Sequence, residues 1–348
     1  MAVGGRKGSP AVIRYGSVCS GIEAATVAWH GLGWAPAWYS EIEAFPCAVL
    51  KHHYPVVPNY GDMTKFEEWP DEPIELLVGG TPCQSFSVAG LRKGLADPRG
   101  NLMLTFGAIA RKYRPEWLVW ENVPGVLSSN GGRDFGTFLG MLAELGYGFA
   151  YRVLDAQYFG VAQRRRRVFV VANARGWQRA AAVLFERESL SGHPAPSREA
   201  REEIAGSTVQ CFDRQRSSEY GTSPIASTVS ARDFKSAADL VAEPIMITGD
   251  VSHALTAPKR HWSSEDGTGR SPPTISINMQ VRRLTPVECE RLQGFPDNYT
   301  NIPWRKKPES PDGPRYKALG NSMAVPVMQW IGERIAAVES IDDEKKAP

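Results

Sequence analysis

Long hydrophobic runs are missing from this chain. No stretch reaches eighteen apolar residues, and the opening "MAVGGRKGSPAVIRYG" holds no apolar centre of a signal peptide. Membrane-spanning and exported proteins are therefore not the expectation, and a cytoplasmic location is. Cysteine is scarce and scattered: Cys19, Cys47, Cys83, Cys211 and Cys289 stand singly, with no CxxC pair. That argues against a disulfide framework and against a zinc centre, and for a reducing compartment. Charge of one sign is lacking too, since 40 Lys and Arg face 38 Asp and Glu for a net charge of +2. No global field announces a nucleic-acid partner, so any basic surface must be local. There is no internal repeat. What the 348 residues do have is 42% hydrophobic and 10% aromatic side chains, enough for one large domain with an appendage or for two domains.

The first half alternates strands and helices. "AVIRYGSVCSG" reads as a strand entering a glycine turn, and "IEAATVAWHGLG" as a helix with Ile22, Ala25 and Trp29 on one face. "APAWYSEIEAF" reads as a strand with an acidic end, and "IELLVGG" as a strand buried on both faces. A helix over "NLMLTFGAIARKYRP", a strand over "EWLVWENVPG" and a helix over "DFGTFLGMLAELGYG" follow, the last with Asp134 as N-cap. "YRVLDAQYFGVAQRRRRVFVVAN" reads as two strands around a polar connection. Such alternation implies an α/β fold, a doubly wound and mostly parallel sheet covered by helices on both faces.

The texture changes near residue 174. Residues 186 to 280 mix Ser, Thr, Gly, Pro and charges with few periodic runs. They read either as a flexible insertion or, preferred here, as a small loop-rich domain with Val209, Ile225, Val229, Ile245 and Ile247 in short β-like pieces. Order returns at "LTPVECERLQGF", where Thr285, Pro286 and Glu288 spell a capping box. "NSMAVPVMQWIGERIAAVE" predicts a last helix with Val327, Trp330, Ile331, Ile335 and Val338 facing one way, and residues 340 to 348 read as a frayed tail.

Three polar clusters fall at predicted strand ends, where open α/β sheets bind ligands: Cys83 in "GGTPCQSFS", Glu121-Asn122, and Glu41. A lone cysteine is commonly a small buried hydrophobe. Pro82 stiffens the turn before it, which suits a nucleophile, and a thiolate adds readily to an electron-poor carbon. Glu121 can hold or donate a proton opposite such a thiol. In "QRRRRVFVV", two-residue alternation lets Arg165 and Arg167 point one way and Arg164 and Arg166 the other. That run is either a solvated charged edge or a set of phosphate or base contacts.

The order of these motifs resembles that of the DNA (cytosine-5) methyltransferases of bacterial and phage type. "SVCSGIEAA", "YSEIEAF", "YGDMT", "GGTPCQSFS", "RGNLM", "ENVPGV", "AQRRRRVF", "RRLTPVECERLQGFPDNY" and "ALGNSMAVPV" follow one another as the family's motifs do, over about residues 12 to 173 and 282 to 338. The sequence departs from the family pattern at three places: Cys19 stands where a phenylalanine is usual, Glu23 where a glycine is common, and Ala162 where a proline is usual.

The resemblance implies S-adenosyl-L-methionine as cofactor and no metal. It implies a Rossmann-like catalytic domain over 1–174, a target-recognition domain with the hinge motif over 175–314, and a returning segment over 315–348. Cys83 would add to carbon 6 of a flipped-out cytosine so that carbon 5 can take the methyl group. Glu121 would contact N3 and the exocyclic amine and Arg165 the base carbonyl, with Asn122, Gln163 and Arg167 completing the catalytic set. Cys19, Ser20, Gly21, Ile22, Glu41, Ile42, Asp62, Met63, Pro82, Leu102 and Asn321 would form the cofactor site, Glu41 accepting from the ribose hydroxyls and Asp62 from the adenine amine. Arg92 and Lys93 would sit on a mobile lid. Arg214, Arg216, Arg232, Arg260 and Arg270 would be the candidates for reading bases or phosphates. Double-stranded DNA is the implied partner of a monomer in the bacterial cytosol, with a cognate restriction endonuclease as an optional companion. An RNA cytosine-5 methyltransferase of the same fold and a catalytically silent DNA-binding relative are the rival readings.

Overall fold

The computed structural model describes residues 12–82, 102–185, 210–216, 219–223, 239–244 and 279–346. Six strands form the main sheet: β1 (Arg14–Val18), β2 (Ala35–Ser40), β3 (Leu76–Gly79), β4 (Trp117–Asn122), β5 (Gly148–Asp155) and β6 (Arg166–Asn173). Their spatial order is β2-β1-β3-β4-β6-β5. The pairs β1/β2, β1/β3 and β3/β4 are parallel, while β6 runs antiparallel to both β4 and β5. Every residue of β3 and β4 is buried, which is why those strands are unbroken apolar runs until their last residues. The edge strand β5 alternates more, and its Tyr151 is exposed.

Each face of the sheet carries its own core. On one lie α1 (Ala24–Trp29), α5 (Trp177–Leu184) and α8 (Val325–Lys346), packed around Tyr15, Trp29, Val119, Phe169, Met328 and Ile331. The Trp29 indole N–H donates to the Met328 carbonyl at 2.8 Å, tying first helix to last. On the other lie α3 (Leu102–Tyr113) and α4 (Arg133–Glu144), around Trp38, Phe106, Trp120 and Phe138. Truncating a fully buried tryptophan such as Trp29 or Trp120 to alanine would cost about 3–5 kcal/mol.

α6 (Pro286–Gln293) begins with the expected capping box: Thr285 Oγ1 accepts from Glu288 N at 3.3 Å, and the Glu288 carboxylate accepts from Thr285 N at 2.6 Å. Cys289, Leu292, Phe295 and Tyr299 join the core that contains Tyr15 of β1. α2 (Ala44–His53) and α7 (Asp312–Asn321) pack against each other.

Two local expectations are corrected. Asp134 does not cap α4; Gly132, at φ 84°, occupies the cap, and Asp134 sits one turn position inside. There its carboxylate accepts from Ser129 Oγ at 2.5 Å and Asn130 Nδ2 at 3.2 Å, side chains of the preceding turn. Nor does the chain fray at residue 340. α8 continues through Lys346, because "IDDEKK" lacks glycine and proline and Asp342 and Asp343 precede Lys345 and Lys346 at helical spacing.

The irregular region contains a four-stranded antiparallel sheet of β7 (Gln210–Arg216), β8 (Glu219–Ser223), β9 (Asp239–Pro244) and β10 (Met279–Arg283), in the order β10-β9-β7-β8. Arg214 and Arg216 lie on β7. Val209, Ile225, Val229, Ile245, Ile247, Arg232, Arg260 and Arg270 lie outside the described residues.

Candidate active site

The strand order reverses between β1 and β3. The chain first moves outward from β1 to β2, then returns to place β3 on the other side of β1. Beyond the C-terminal strand ends at such a point the connecting loops part, leaving a crevice. Here it is a cavity of about 400 Å3, in the range of roughly 300–1,000 Å3 typical of small-molecule sites.

One side of the cavity is built by the loops after β1 and β2 and by the turn at Asp62. Gly21, at φ 58°, turns the first loop, and a glycine takes that left-handed conformation without strain. Its N–H donates to Glu41 Oε2 at 2.8 Å, while Glu41 Oε1 accepts from Ile42 N at 2.8 Å and Glu43 N at 2.7 Å. Of the roughly four acceptor positions on a carboxylate, one thus ties the two loops together and two brace the second loop itself. Asp62 Oδ1 caps the next turn, accepting from Thr64 N at 2.9 Å and Thr64 Oγ1 at 2.8 Å. Met63 is buried, with the Cys19 thiol 3.5 Å from its sulfur. Burial, reinforced by Glu41, pushes the Cys19 thiol up to about 12, so this pocket-lining cysteine stays protonated and is no nucleophile.

The opposite side carries the acid and two arginines. Glu121, last but one in β4, is buried with Arg167 Nε 3.0 Å from Oε1. Burial raises its pKa against the pull of Arg167 and Arg165. Arg165 is buried as well; burial and then the neighbouring Arg167 lower its pKa to about 9, which leaves it protonated at neutral pH. Its guanidinium Nη2 donates to the carbonyls of Gly320 at 3.2 Å and Ser322 at 2.5 Å, bracketing Asn321 on the cavity wall. Arg164 and Arg166 are exposed, as the two-residue alternation predicts.

Gly80 lets β3 approach this acid: a Cβ there would lie 2.9 Å from Glu121 Oε2 and 3.1 Å from Met323 Cε. The next residue, Thr81, is held twice. Its hydroxyl accepts from the Trp120 indole N–H at 2.9 Å, and its carbonyl accepts from Asn122 Nδ2 at 2.8 Å. Asn122 Oδ1 accepts from Val123 N at 2.8 Å. The end of β4 thereby fixes the turn that leads to Pro82, which lines the cavity.

The fold brings Cys19, Gly21, Glu41, Ile42, Asp62, Met63, Pro82, Leu102, Glu121, Asn122, Arg165, Arg167 and Asn321 to this one cavity. It does not bring Ile22 or Gln163 there. Ile22 packs in the core beneath, and Gln163 is fully buried with Nε2 donating to the Leu292 carbonyl at 3.4 Å. Ser20 lines a smaller adjoining cavity. Cys83, Arg92 and Lys93 lie outside the described residues. Thr81 and the Gly320 and Ser322 carbonyls are positions that sequence reasoning misses. Thr81 stands inside the quoted "GGTPC", but nothing local marks its hydroxyl as a tryptophan's acceptor.

An open sheet with acids at two strand-end turns and a buried acid–arginine pair facing them has the layout of an α/β enzyme that binds a nucleoside-bearing cofactor. The chain belongs to the C-5 cytosine-specific DNA methylase family, whose model matches residues 13–337. It is 30% identical to the type II methyltransferase M.HpaII of Haemophilus parainfluenzae, across 91% of this chain and 87% of that one. It is 31% identical to M2.BsuMI of Bacillus subtilis, across 92% and 74%. It is 39% identical to a protein of Escherichia phage P1 called a DNA N-6-adenine-methyltransferase, covering 92% of this chain but only 61% of the phage protein's length. In fold it is similar to a Spodoptera frugiperda DNMT2 mutant, with a TM-score of 0.59 at 17% identity over 93% of this chain and 99% of that one.

Members of this family take their methyl group from S-adenosylmethionine, and the cavity fits that molecule. Its acidic and backbone acceptors suit a ribose and an adenine amine, and no phosphate-binding cradle is needed. Among the described residues no cluster of His, Cys, Asp and Glu could hold a metal ion, and no helix is long and apolar enough to cross a membrane.

Proposed function

We propose that this chain methylates carbon 5 of cytosine in double-stranded DNA, with Cys83 as the nucleophile and Glu121 as the acid. Carbon 5 is a poor nucleophile on its own. The Cys83 thiolate forms a bond to carbon 6, and the displaced electron pair enriches carbon 5. Glu121, whose pKa burial raises, offers a proton or hydrogen bond at N3, where negative charge develops. Arg167 orients Glu121, and Arg165 faces the same charge. S-adenosylmethionine supplies an electrophilic methyl group when bound. After methyl transfer the carbon-5 proton leaves to a base, the carbon 6–sulfur bond breaks by β-elimination, and Cys83 is regenerated. Because the stacked duplex hides carbon 6, the cytosine must leave the helix, at a cost of a few kcal/mol. No step calls for a second subunit or a cognate endonuclease.

One observation carries this reading: Pro82, the residue bonded to Cys83, lines the same cavity as the Glu121–Arg167 pair and the acids Glu41 and Asp62. Methylation of an adenine amine, the activity named for the phage P1 relative, requires no covalent activation of the ring and would leave the Pro-Cys turn idle. Expression in a host without cytosine methylation, with nucleoside analysis and bisulfite sequencing of its DNA, tests the proposal. The expected product is 5-methylcytosine at one recurring sequence; N6-methyladenine alone, or no methylated base, would reject it.

A further inference from the structure

Glu23 takes no part in the chemistry above, yet it is the most enclosed acid beside the cofactor cavity. It is 1% exposed and has a non-glycine backbone at φ 62°, a left-handed conformation that side chains rarely adopt. Among the described residues its partners are hydroxyls and one backbone N–H, with no cation. Ser17 Oγ donates to Oε1 at 2.5 Å, and Thr26 donates to Oε2 through Oγ1 at 2.7 Å and through its N–H at 3.3 Å. The Thr26 hydroxyl in turn accepts from Tyr15 at 2.8 Å and lies 3.0 Å from the Tyr39 hydroxyl. Glu23 thus joins the last part of β1 to the first turn of α1 from inside the protein.

The loop it closes is the first cofactor loop. Glu23 N donates to Ser20 O at 3.0 Å, Ser20 N donates to Ser40 O at 3.2 Å, and Ser20 Oγ donates to Ser17 O at 3.0 Å. Ser17, Ser20, Gly21 and Glu23 form one wall of a small cavity of about 30 Å3, with the turn Asn321–Met323 opposite. That cavity shares Cys19, Gly21, Gly80, Glu121 and Asn321 with the main one and is its inner annex.

We propose that Glu23 is a positioning residue for the cofactor: through Ser17 and Thr26 it holds the Cys19–Ser20–Gly21 turn in the shape that receives the cofactor's amino-acid end. The inference rests on the reading of this cavity as the S-adenosylmethionine site. Glycine would carry the backbone angle without strain, so the glutamate's contribution lies in its side-chain bonds, and the two effects separate by substitution.

The test is calorimetric titration of S-adenosylmethionine into DNA-free native protein and into Glu23→Gln, Glu23→Ala, Glu23→Gly and Ser17→Ala. A glutamine still accepts from Thr26 and can donate to Ser17 Oγ, so Glu23→Gln should bind within about three-fold of the native protein. Alanine and glycine remove the bonds and should weaken binding by about ten-fold or more. In turnover, the loss should fall on KM for the cofactor rather than on kcat. Native-like affinity in both the Ala and Gly variants, a Gln variant as weak as the Ala variant, or a loss confined to kcat would each overturn the proposal. Should the Ala and Gly variants fail to fold, Ser17→Ala decides: weakening by about three-fold supports the role and an unchanged Kd refutes it. If the native protein itself does not bind S-adenosylmethionine, the reading of the cavity fails, which is a different result.

Discussion

Glu23 and Glu121 are both buried carboxyls beside one cavity, and burial raises both pKa values. Their surroundings differ in kind. Glu121 faces Arg167 at 3.0 Å and feels Arg165 as well, so its ionised form has counter-charges. Among the described residues Glu23 has only Ser and Thr hydroxyls and a backbone N–H, and its pKa rises from 4.5 to about 7. On the proposed reading, the arginines fix the direction of an acid that gives its proton or hydrogen bond to the reacting base. Hydroxyls hold a carboxyl that can stay neutral and act as a fastener. Two acids at neighbouring loops are thereby separated in role by their partners rather than by depth.

The comparison is sharpest in activity. Glu121→Gln removes the proton source and should slow methyl transfer by roughly 10^2- to 10^4-fold, with S-adenosylmethionine affinity little changed. Single-turnover transfer of labelled methyl groups measures it, and a Glu23→Gln variant with the same loss would erase the distinction. Next in size is Arg167→Ala, which strips Glu121 of its closest counter-charge inside the protein. It should destabilise the fold on the order of 3 kcal/mol, read by urea denaturation; Arg166→Ala, on the exposed side, should cost almost nothing.

A pH series tests the other acid. Below pH 4.5 Glu23 is neutral in both folded and unfolded chains. Between 4.5 and about 7 the unfolded chain ionises first, so this residue's contribution to stability falls as pH rises through that window and is flat above it. Glu23→Gln lacks this term, so its stability relative to the native protein should improve from pH 5 to pH 8, on the order of 2 kcal/mol. Glu121 titrates in the same direction but is present in both proteins and cancels. A difference that is constant with pH would place a cation near Glu23 after all. A smaller effect is expected for Thr81→Val, which leaves the Trp120 indole N–H without its acceptor. It should cost about 1–2 kcal/mol and slow transfer by shifting the turn that precedes Cys83.

Much of this architecture is legible in the residues. Parallel strands buried on both faces are unbroken apolar runs, so β3 and β4 announce themselves, and Glu41 and Glu121 stand out as the first acids after such runs. Alternation along β6 assigns Arg165 and Arg167 to one side without any structure. Helix-end features are less legible: Asp134 looks like a cap, but the preceding Ser129 and Asn130 claim its carboxylate. The supports of the site are least legible of all. Arg165 is anchored on carbonyls more than 150 residues away, and Thr81 depends on an indole from the next strand. Glu23 reads in the sequence only as a departure from a glycine pattern; its hydroxyl partners come together only when β1 and α1 pack. Short-range pattern picks out the candidate reacting groups, and folding alone assembles what surrounds them.

The central claim is that sulfur of residue 83 bonds transiently to the pyrimidine. A duplex carrying 5-fluorocytosine at the target position, incubated with the protein and S-adenosylmethionine, blocks the final elimination because fluorine cannot leave as a proton does. The account predicts a denaturation-resistant protein–DNA complex whose tryptic peptide carries the modified base on Cys83. Methylation of the ordinary duplex with no such complex, or a crosslink mapping to another residue, would contradict it.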